Sequence, residues 1–85
     1  MSNIHPTSII LDGCEIDQNV SIGAYSIIGP NVKIGDNSHI KSFSHLEGTK
    51  IEKNVTVGPY ARLREGTVLK KNTNRFLARQ IQTVF

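Results

Sequence analysis

Few side chains in this sequence are suited to catalysis, and three histidines come first among them. His5, His39 and His45 are the available general bases, because imidazole exchanges protons near neutral pH. His39 and His45 each precede an aliphatic residue and are six residues apart. We therefore expect both near one corner edge of adjacent strands, as solvated turn residues. Cys14, the single cysteine, is interpreted as a buried small residue and not as a nucleophile. The sequence thus predicts no catalytic residue.

Ligand binding is the chemistry that Arg64 suits. A guanidinium is permanently charged, and its planar fork matches two phosphate oxygens at once. Arg64 directly follows Leu63, which belongs to a series of interior residues described below. We expect its side chain on an outward strand surface, within reach of a ligand; by residue type alone, a solvated arginine is the alternative. The sequence has no Cys/His cluster and no Gly-rich phosphate loop, and we expect no bound metal.

An aliphatic residue recurs at every sixth position, with one five-residue step after the eighth. The members are Ile4, Ile10, Ile16, Ile22, Ile28, Ile34, Ile40, Leu46, Ile51, Val57, Leu63 and Leu69. Since only 38% of the chain is hydrophobic, so regular a series is not a chance pattern. A period of six matches neither an α-helix nor a coiled coil, but it is a multiple of the two-residue strand period.

A second column of small or β-branched residues lies four positions after each aliphatic residue. Its members are Ser8, Cys14, Val20, Ser26, Val32, Ser38, Ser44, Val55, Ala61, Thr67 and Thr73, with a break at Lys50. We expect the two columns to face the same side of a strand within each hexad, and the chain to turn a corner at the step to the next. Asparagine and glycine tolerate corner conformations, and asparagines occur three residues after an aliphatic one at Asn19, Asn31, Asn37, Asn54 and Asn72.

These columns predict an all-β solenoid. Three short strands and three corners close a triangular coil of about 18 residues, and coils stack at ~4.8 Å through parallel ladders. Residues 4–74 would form about four coils. We interpret the five-residue step as a residue deleted at a corner within 47–50, which a solenoid tolerates. The alternative is a meander of half-buried strands in a small sandwich, whose turn spacing would drift.

Charge and composition exclude several classes of partner. The net charge of +3 is uneven: residues 1–69 carry six cations and seven acids, whereas residues 70–85 carry four cations and no acid. Four clustered cations without interleaved aromatics do not indicate nucleic-acid binding. No apolar run approaches a membrane span, and the opening residues do not read as a secretory signal. A lone cysteine fits a reducing compartment, so we expect a cytoplasmic protein.

The repeat stops near the end of the chain. We therefore divide the sequence into a repeat domain, residues 1–74, and a non-repeat tail, residues 75–85. In the tail Leu77, Ile81 and Val84 are spaced as on one helical face. One interpretation is a short helix that caps the last coil. The other is out-of-frame sequence after a disrupted gene, with the helical spacing accidental.

Two stretches resemble one family in particular. They are residues 34–48 and residues 57–67, and the second contains the run Gly-Pro-Tyr-Ala-Arg-Leu-Arg. Both look like the start of the acetyltransferase domain of the bifunctional N-acetylglucosamine-1-phosphate uridyltransferase/glucosamine-1-phosphate acetyltransferases, which are hexapeptide-repeat transferases. This resemblance implies a left-handed β-helix. The opening residues 4–9 also look like the start of the acyltransferases of lipid A synthesis.

The resemblance implies a role for Arg64 and the absence of several others. In the bifunctional family the second arginine of that run binds the sugar phosphate, and here it is Arg64. The catalytic histidine and the acetyl-CoA-binding coils of that family lie downstream of the matched residues. The chain is therefore expected to be a truncated, inactive fragment that binds no cofactor itself, with acetyl-CoA as the family's co-substrate.

Two other functions stay open at this point. The chain is alternatively a non-catalytic β-helix module that forms a homotrimer, as the family relatives do, or docks on an intact homologue. A further alternative is a small acyltransferase acting on a nucleotide sugar, as in lipid A synthesis. None of the three involves nucleic acid or a membrane.

Overall fold

The computed structural model describes residues 2–72 and 74–75, which form thirteen strands of two residues each and no helix. The strands are β1 (Asn3–Ile4), β2 (Ile9–Ile10), β3 (Glu15–Ile16), β4 (Ser21–Ile22), β5 (Ile27–Ile28), β6 (Lys33–Ile34), β7 (His39–Ile40), β8 (His45–Leu46), β9 (Lys50–Ile51), β10 (Thr56–Val57), β11 (Arg62–Leu63), β12 (Val68–Leu69) and β13 (Asn74–Arg75). Every strand except β13 ends on a member of the aliphatic series.

Every third strand joins the same sheet, so the chain winds around a three-sided prism. Face 1 is the sheet β1-β4-β7-β10-β13, face 2 is β2-β5-β8-β11, and face 3 is β3-β6-β9-β12. All strand pairs are parallel, which excludes the sandwich of antiparallel strands. The predicted parallel β-helix of about four triangular coils is confirmed, and the arrangement is consistent with a left-handed helix.

The aliphatic series fills the interior of the prism. From the second coil onward its members are 0–2% exposed, stacked like on like by the register of the sheets. On face 3, for example, Ile16 pairs with Ile34 and Ile34 with Ile51. Burial of such side chains contributes about 1.5–3 kcal/mol each. The aliphatic series predicted from the sequence therefore makes a large contribution to the stability of the fold.

The corners fall between the aliphatic and the small residue of each hexad, not after the small residue as expected. Each small residue therefore directly precedes the next strand and lies two positions before the next aliphatic residue, as Ser26 precedes β5. The small residues on face 2 connect successive coils. Ser26 N donates to Ser8 Oγ at 3.1 Å, and Ser44 N donates to Ser26 Oγ at 3.2 Å. A larger side chain at these positions would block the close approach of the next coil.

The predicted deletion lies at the corner between β8 and β9. Thr49 is 1% exposed and takes the place of the small residue that the sequence pattern assigned to Lys50. Its Oγ1 donates to Glu47 O at 2.7 Å. Lys33 still pairs with Lys50 and Ile34 with Ile51, so the shortened corner leaves the register of face 3 intact.

Two corners carry stacks of identical or similar residues in the left-handed backbone region. The asparagine corner, between faces 3 and 1, consists of Asn19, Asn37, Asn54 and Asn72, with φ between 58° and 65°. Asparagine is the residue most tolerant of this region after glycine. The aromatic corner, between faces 1 and 2, consists of Tyr25, Phe43 and Tyr60, with φ between 58° and 62°. The sequence pattern did not predict aromatic corners, because bulky residues rarely adopt positive φ.

The aromatic corner is held by ring stacking. The ring centroids of Tyr25 and Phe43 are 5.6 Å apart, and those of Phe43 and Tyr60 are 5.1 Å apart with an interplanar angle of 4°. Such pairs contribute about 0.5–1.5 kcal/mol beyond their buried area, which offsets the backbone cost.

The repeat extends at least to β13, where Arg75 pairs with Val57 on face 1. Its backbone thus continues the face even though arginine departs from the aliphatic series. Residues 76–85, including the proposed capping helix, lie outside the described residues. The division of the chain at residue 74 stays a prediction.

Candidate ligand-binding face

Arg64 lies on the outer surface of face 2, as expected. Leu63, the residue before it, is 1% exposed in the interior. Because successive strand residues alternate between the two sides of a sheet, Arg62 and Arg64 both point outward, and both are exposed. Two residues along a strand span about 6–7 Å. Arg62 in β11 and Arg64 directly after β11 therefore place two guanidinium groups on the same side of face 2.

The charged surface continues onto the neighbouring coil. Arg62 pairs in register with His45 of β8, and the residue that follows Leu46, Glu47, lies beside Arg64. Glu47 is engaged elsewhere: its Oε2 lies 3.5 Å from His45 Nε2. Within residues 2–72, neither arginine has a carboxylate oxygen within 4 Å. Both guanidinium groups are therefore available to an anion from solution.

The backbone beneath Arg64 is fixed by the corner that follows it. Arg64 O accepts hydrogen bonds from Thr67 N at 3.1 Å and from Thr49 Oγ1 at 3.5 Å. The second bond reaches across to the preceding coil, so the shortened corner at 47–50 also supports the strand that carries the arginines. The backbone position of Arg64 is set by these contacts, and its side chain retains its exposure.

The histidines do not form a site together. His39 belongs to β7 on face 1 and His45 to β8 on face 2, so the aromatic corner separates them although they are adjacent in the coil. His5 follows β1 and is exposed. Cys14 is half-buried at the edge of the core, and its thiol donates to Ile28 O at 3.5 Å. The described residues thus bring no histidine to the arginines except His45.

Neither a metal centre nor a membrane span is found in the described part of the chain. Residues 2–72 contain no group of three or more His, Cys, Asp or Glu side chains arranged to hold a metal ion. No helix long and apolar enough to cross a bilayer occurs among them. The site available for ligand chemistry on face 2 is therefore the arginine pair with His45 and Glu47.

Part of the chain matches a known protein family. Residues 13–48 match the family model of the bacterial transferase hexapeptide (six repeats). This segment covers parts of the first three coils described above. Residues 13–48 thus match the hexapeptide repeat of bacterial transferases, the family that the sequence was seen to resemble.

Two kinds of enzyme are among the relatives of the chain. The chain is 40% identical over 74 residues to the acyl-[acyl-carrier-protein]–UDP-N-acetylglucosamine O-acyltransferase of Rickettsia canadensis, covering 86% of this chain and 28% of the relative. It is 43% identical over 76 residues to the enzyme of the same name from Rickettsia bellii, covering 87% and 27%. It is 47% identical over 55 residues to the bifunctional protein GlmU of Sphingopyxis alaskensis, covering 65% and 12%.

The two kinds of relative correspond to the two resemblances seen in the sequence. The chain resembles an acyltransferase domain of the hexapeptide-repeat class, and it spans between about an eighth and somewhat over a quarter of the length of these relatives. The similarity to the O-acyltransferases covers more of the chain, whereas that to GlmU has the higher identity. Both kinds of relative are therefore similar enough in sequence to support a proposal of function.

Sequence reasoning selected Arg64 and passed over Arg62. The signal was present, because two arginines separated by one interior residue must face the same side of a strand. The position of His45 beside them was not available from the sequence. It depends on which residues the register of β8 and β11 brings together.

Proposed function

We propose that these coils are part of a hexapeptide-repeat acyltransferase and that Arg62 and Arg64 bind the phosphate groups of its nucleotide-sugar acceptor. The observation that carries the proposal is the pair of exposed guanidinium groups on the outer side of one strand. The relatives that cover most of the chain are named for UDP-N-acetylglucosamine, which carries a diphosphate. Sugar-phosphate binding by Arg64 was also expected from the resemblance to the bifunctional family.

Guanidinium groups suit this task on physical grounds. Each presents donors in a planar fork that bonds two phosphate oxygens in parallel, and neither loses its charge at any physiological pH. The spacing of about 6–7 Å between the two Cα atoms lets both side chains converge on adjacent phosphates. Binding on an exposed face is screened by salt, so the affinity is expected to fall as ionic strength rises.

We further propose that these coils bind the acceptor without transferring an acyl group by themselves. Transfer to a hydroxyl or an amine requires a general base, a donor for the thioester oxyanion and a groove for the acyl carrier. Residues 2–72 place only His45 near the arginines, and that imidazole faces Glu47. The acyl donor, either the acyl-carrier-protein thioester in the relatives' name or acetyl-CoA, would be bound by other parts of the whole enzyme.

The test is an isothermal calorimetric titration of the 85-residue chain with UDP-N-acetylglucosamine. We expect Arg64→Ala to weaken binding at least tenfold, because charge-assisted hydrogen bonds are the strong ones. Arg64→Lys should recover only part of the affinity, because an ammonium lacks the bidentate fork. Lys33→Ala, an exposed cation on face 3, is the matched control and should bind as the original chain does.

Two results would contradict this proposal. Equal affinities for the original chain and for Arg64→Ala would remove the arginine from the site. Thiol release from acetyl-CoA with glucosamine-1-phosphate, or from acyl carrier protein with UDP-N-acetylglucosamine, would show instead that the chain is a complete small acyltransferase.

A second candidate function is self-association as a homotrimeric module, and exposed apolar residues favour it. Ile9 is 52% exposed, Leu11 41% and Ile27 36%, all on or beside the first two strands of face 2. The aromatic corner borders the same face. Light scattering should give a trimer mass for the chain, and Ile27→Lys should dissociate it. Thr56→Lys, on the outer side of face 1, is the control that should leave the mass unchanged.

A monomeric chain would argue against the trimer without affecting the binding proposal. Association with an intact homologue would then be tested by mixing the two proteins. The cytoplasmic location expected from the single cysteine stays a prediction.

A further inference from the structure

A groove of about 590 Å³ crosses the outer surface of face 1, away from the arginines of face 2. Its floor is the second coil, where the outward positions of the strand are occupied by Ser21 and Gly23. The larger side chains of the neighbouring coils form its walls: His5 on one side, His39 and Lys41 on the other. The groove exists because the same outward positions carry small residues in one coil and long residues in the two adjacent coils.

The packing of the second coil against the third requires a glycine at position 23, in the floor of the groove. A Cβ atom at Gly23 would lie 2.6 Å from Ser42 N and 2.9 Å from Ser42 Cα, which is backbone that cannot move aside. The glycine thus lets the second and third coils approach each other. Its lack of a side chain simultaneously leaves the strand surface open between His5 and Lys41.

The groove is lined by hydrogen-bond donors and a positive charge. Lys41 supplies an ammonium group, Ser21 and Ser42 supply hydroxyl groups, and no carboxylate belongs to the lining. Lys41 is exposed, and among residues 2–72 it has no acidic partner within 4 Å. By contrast Lys33 on face 3 lies 3.7 Å from Glu15.

The ring of His5 is oriented by two hydrogen bonds to its Nδ1. Thr7 N donates to Nδ1 at 3.2 Å, and Thr7 Oγ1 lies 2.8 Å from the same atom. Thr7 Oγ1 also accepts from Tyr25 N at 2.9 Å, which fixes the hydroxyl beside the imidazole. Because Nδ1 is the acceptor, the neutral ring carries its proton on Nε2. His5 Nε2 therefore presents a hydrogen-bond donor.

We propose that this groove binds the phosphate group of a small phosphorylated molecule. Phosphate is an anion whose oxygens are strong hydrogen-bond acceptors, and the lining offers a cation and several donors to complement it. The volume lies within the range of small-molecule sites. Ile4 and Pro6 at the rim provide apolar surface for the carbon part of the ligand. This site shares no residue with the arginine pair of face 2.

The test is an NMR titration of the full 85-residue chain, labelled with ¹⁵N, in which inorganic phosphate replaces chloride at constant ionic strength. We expect saturable shifts at the amides of Ser21, Ile22 and Ser42. Lys41→Gln removes the charge and should weaken phosphate binding about tenfold. Ser21→Gln fills the floor with a longer side chain and should weaken it similarly. The matched control is Lys33→Gln, a lysine lost from face 3, which should leave the dissociation constant unchanged.

Each outcome decides the proposal. Saturable shifts on face 1 that both groove variants weaken, with spectra otherwise like those of the original chain, support it. Shifts that are linear in phosphate, or equal affinities for Lys41→Gln and Lys33→Gln, overturn it. Shifts confined to the amides around Arg62 and Arg64 would support the face 2 site and overturn the groove, so the two proposals fail separately.

Discussion

The first and second coils have the same repeat but differ in burial. Ile4 begins the aliphatic series and is 40% exposed, whereas Ile22, its partner in the second coil, is 2% exposed. Ile10 and Ile16 are only partly buried, whereas Ile28 and Ile34 are fully buried. All six side chains point toward the axis of the prism. The period thus determines the direction of a side chain, whereas its burial depends on what covers it beyond its own coil.

The largest expected effect compares Ile34→Ala with Ile16→Ala, which occupy the same column one coil apart. Ile34 is 0% exposed, so its truncation leaves a cavity between two coils and should lower the free energy of unfolding by about 2–5 kcal/mol. Ile16 is only partly buried, and its truncation should cost less than about 2 kcal/mol. Urea unfolding followed by circular dichroism measures both. Equal losses would mean that the first coil is as well covered as the second.

A smaller effect is expected from Ser26→Ala compared with Ser8→Ala. Ser26 Oγ donates to Lys41 O at 3.2 Å and accepts from Ser44 N at 3.2 Å, with the residue fully buried. Its removal leaves both backbone groups without this partner, at a cost of about 1–3 kcal/mol. Ser8 makes the same two kinds of bond at the half-buried first coil.

Water can replace the hydroxyl of Ser8 more readily, so we expect less than half the loss for Ser8→Ala. The same urea titration compares the two serine variants. If Ser8→Ala lowered the free energy of unfolding more than Ser26→Ala does, the first coil would not be the less buried of the two.

The smallest effect is expected at the aromatic corner. Phe43 stacks on both Tyr25 and Tyr60, but all three residues are about half exposed or more. Phe43→Ala should therefore cost about 1 kcal/mol, the low end of the range of about 0.5–1.5 kcal/mol for each of the two pairs. Phe43→Asn is the informative partner variant, because the asparagine corner uses that residue at φ values of 58–65°. Phe43→Asn should unfold at a higher temperature than Phe43→Ala. Both variants lose the ring stack, but asparagine adopts positive φ more readily than alanine does. If the alanine variant is the more stable of the two, positive φ is not what the corner residue must accommodate.

Much of the fold was predictable because it depends on short-range regularity. The aliphatic and small columns, the asparagine corners and the deletion within residues 47–50 all follow from spacing alone. The aromatic corner was not predictable, since Phe43 and Tyr60 adopt φ > 0 only because their rings stack on those of other coils. The place of each corner also differed from expectation, because six-residue spacing does not say where within the hexad the chain turns.

The candidate sites show the same division. Arg64 was found through its motif, and its exposure follows from its position after an interior leucine. The pairing of Arg62 with His45 and the groove between His5 and Lys41 were not found. Both join residues of different coils, 17 or 36 positions apart in the sequence, and the five-residue step alters the offset for later coils.

The sequence by itself determined that the chain coils with a period of six and which side chains point inward, because strand alternation and corner preferences are local properties of the backbone. The tertiary structure alone decided which interior residues are fully buried and which outward residues become neighbours. Those properties depend on the stacking of coils, in which each residue contacts others that lie a full turn away along the chain.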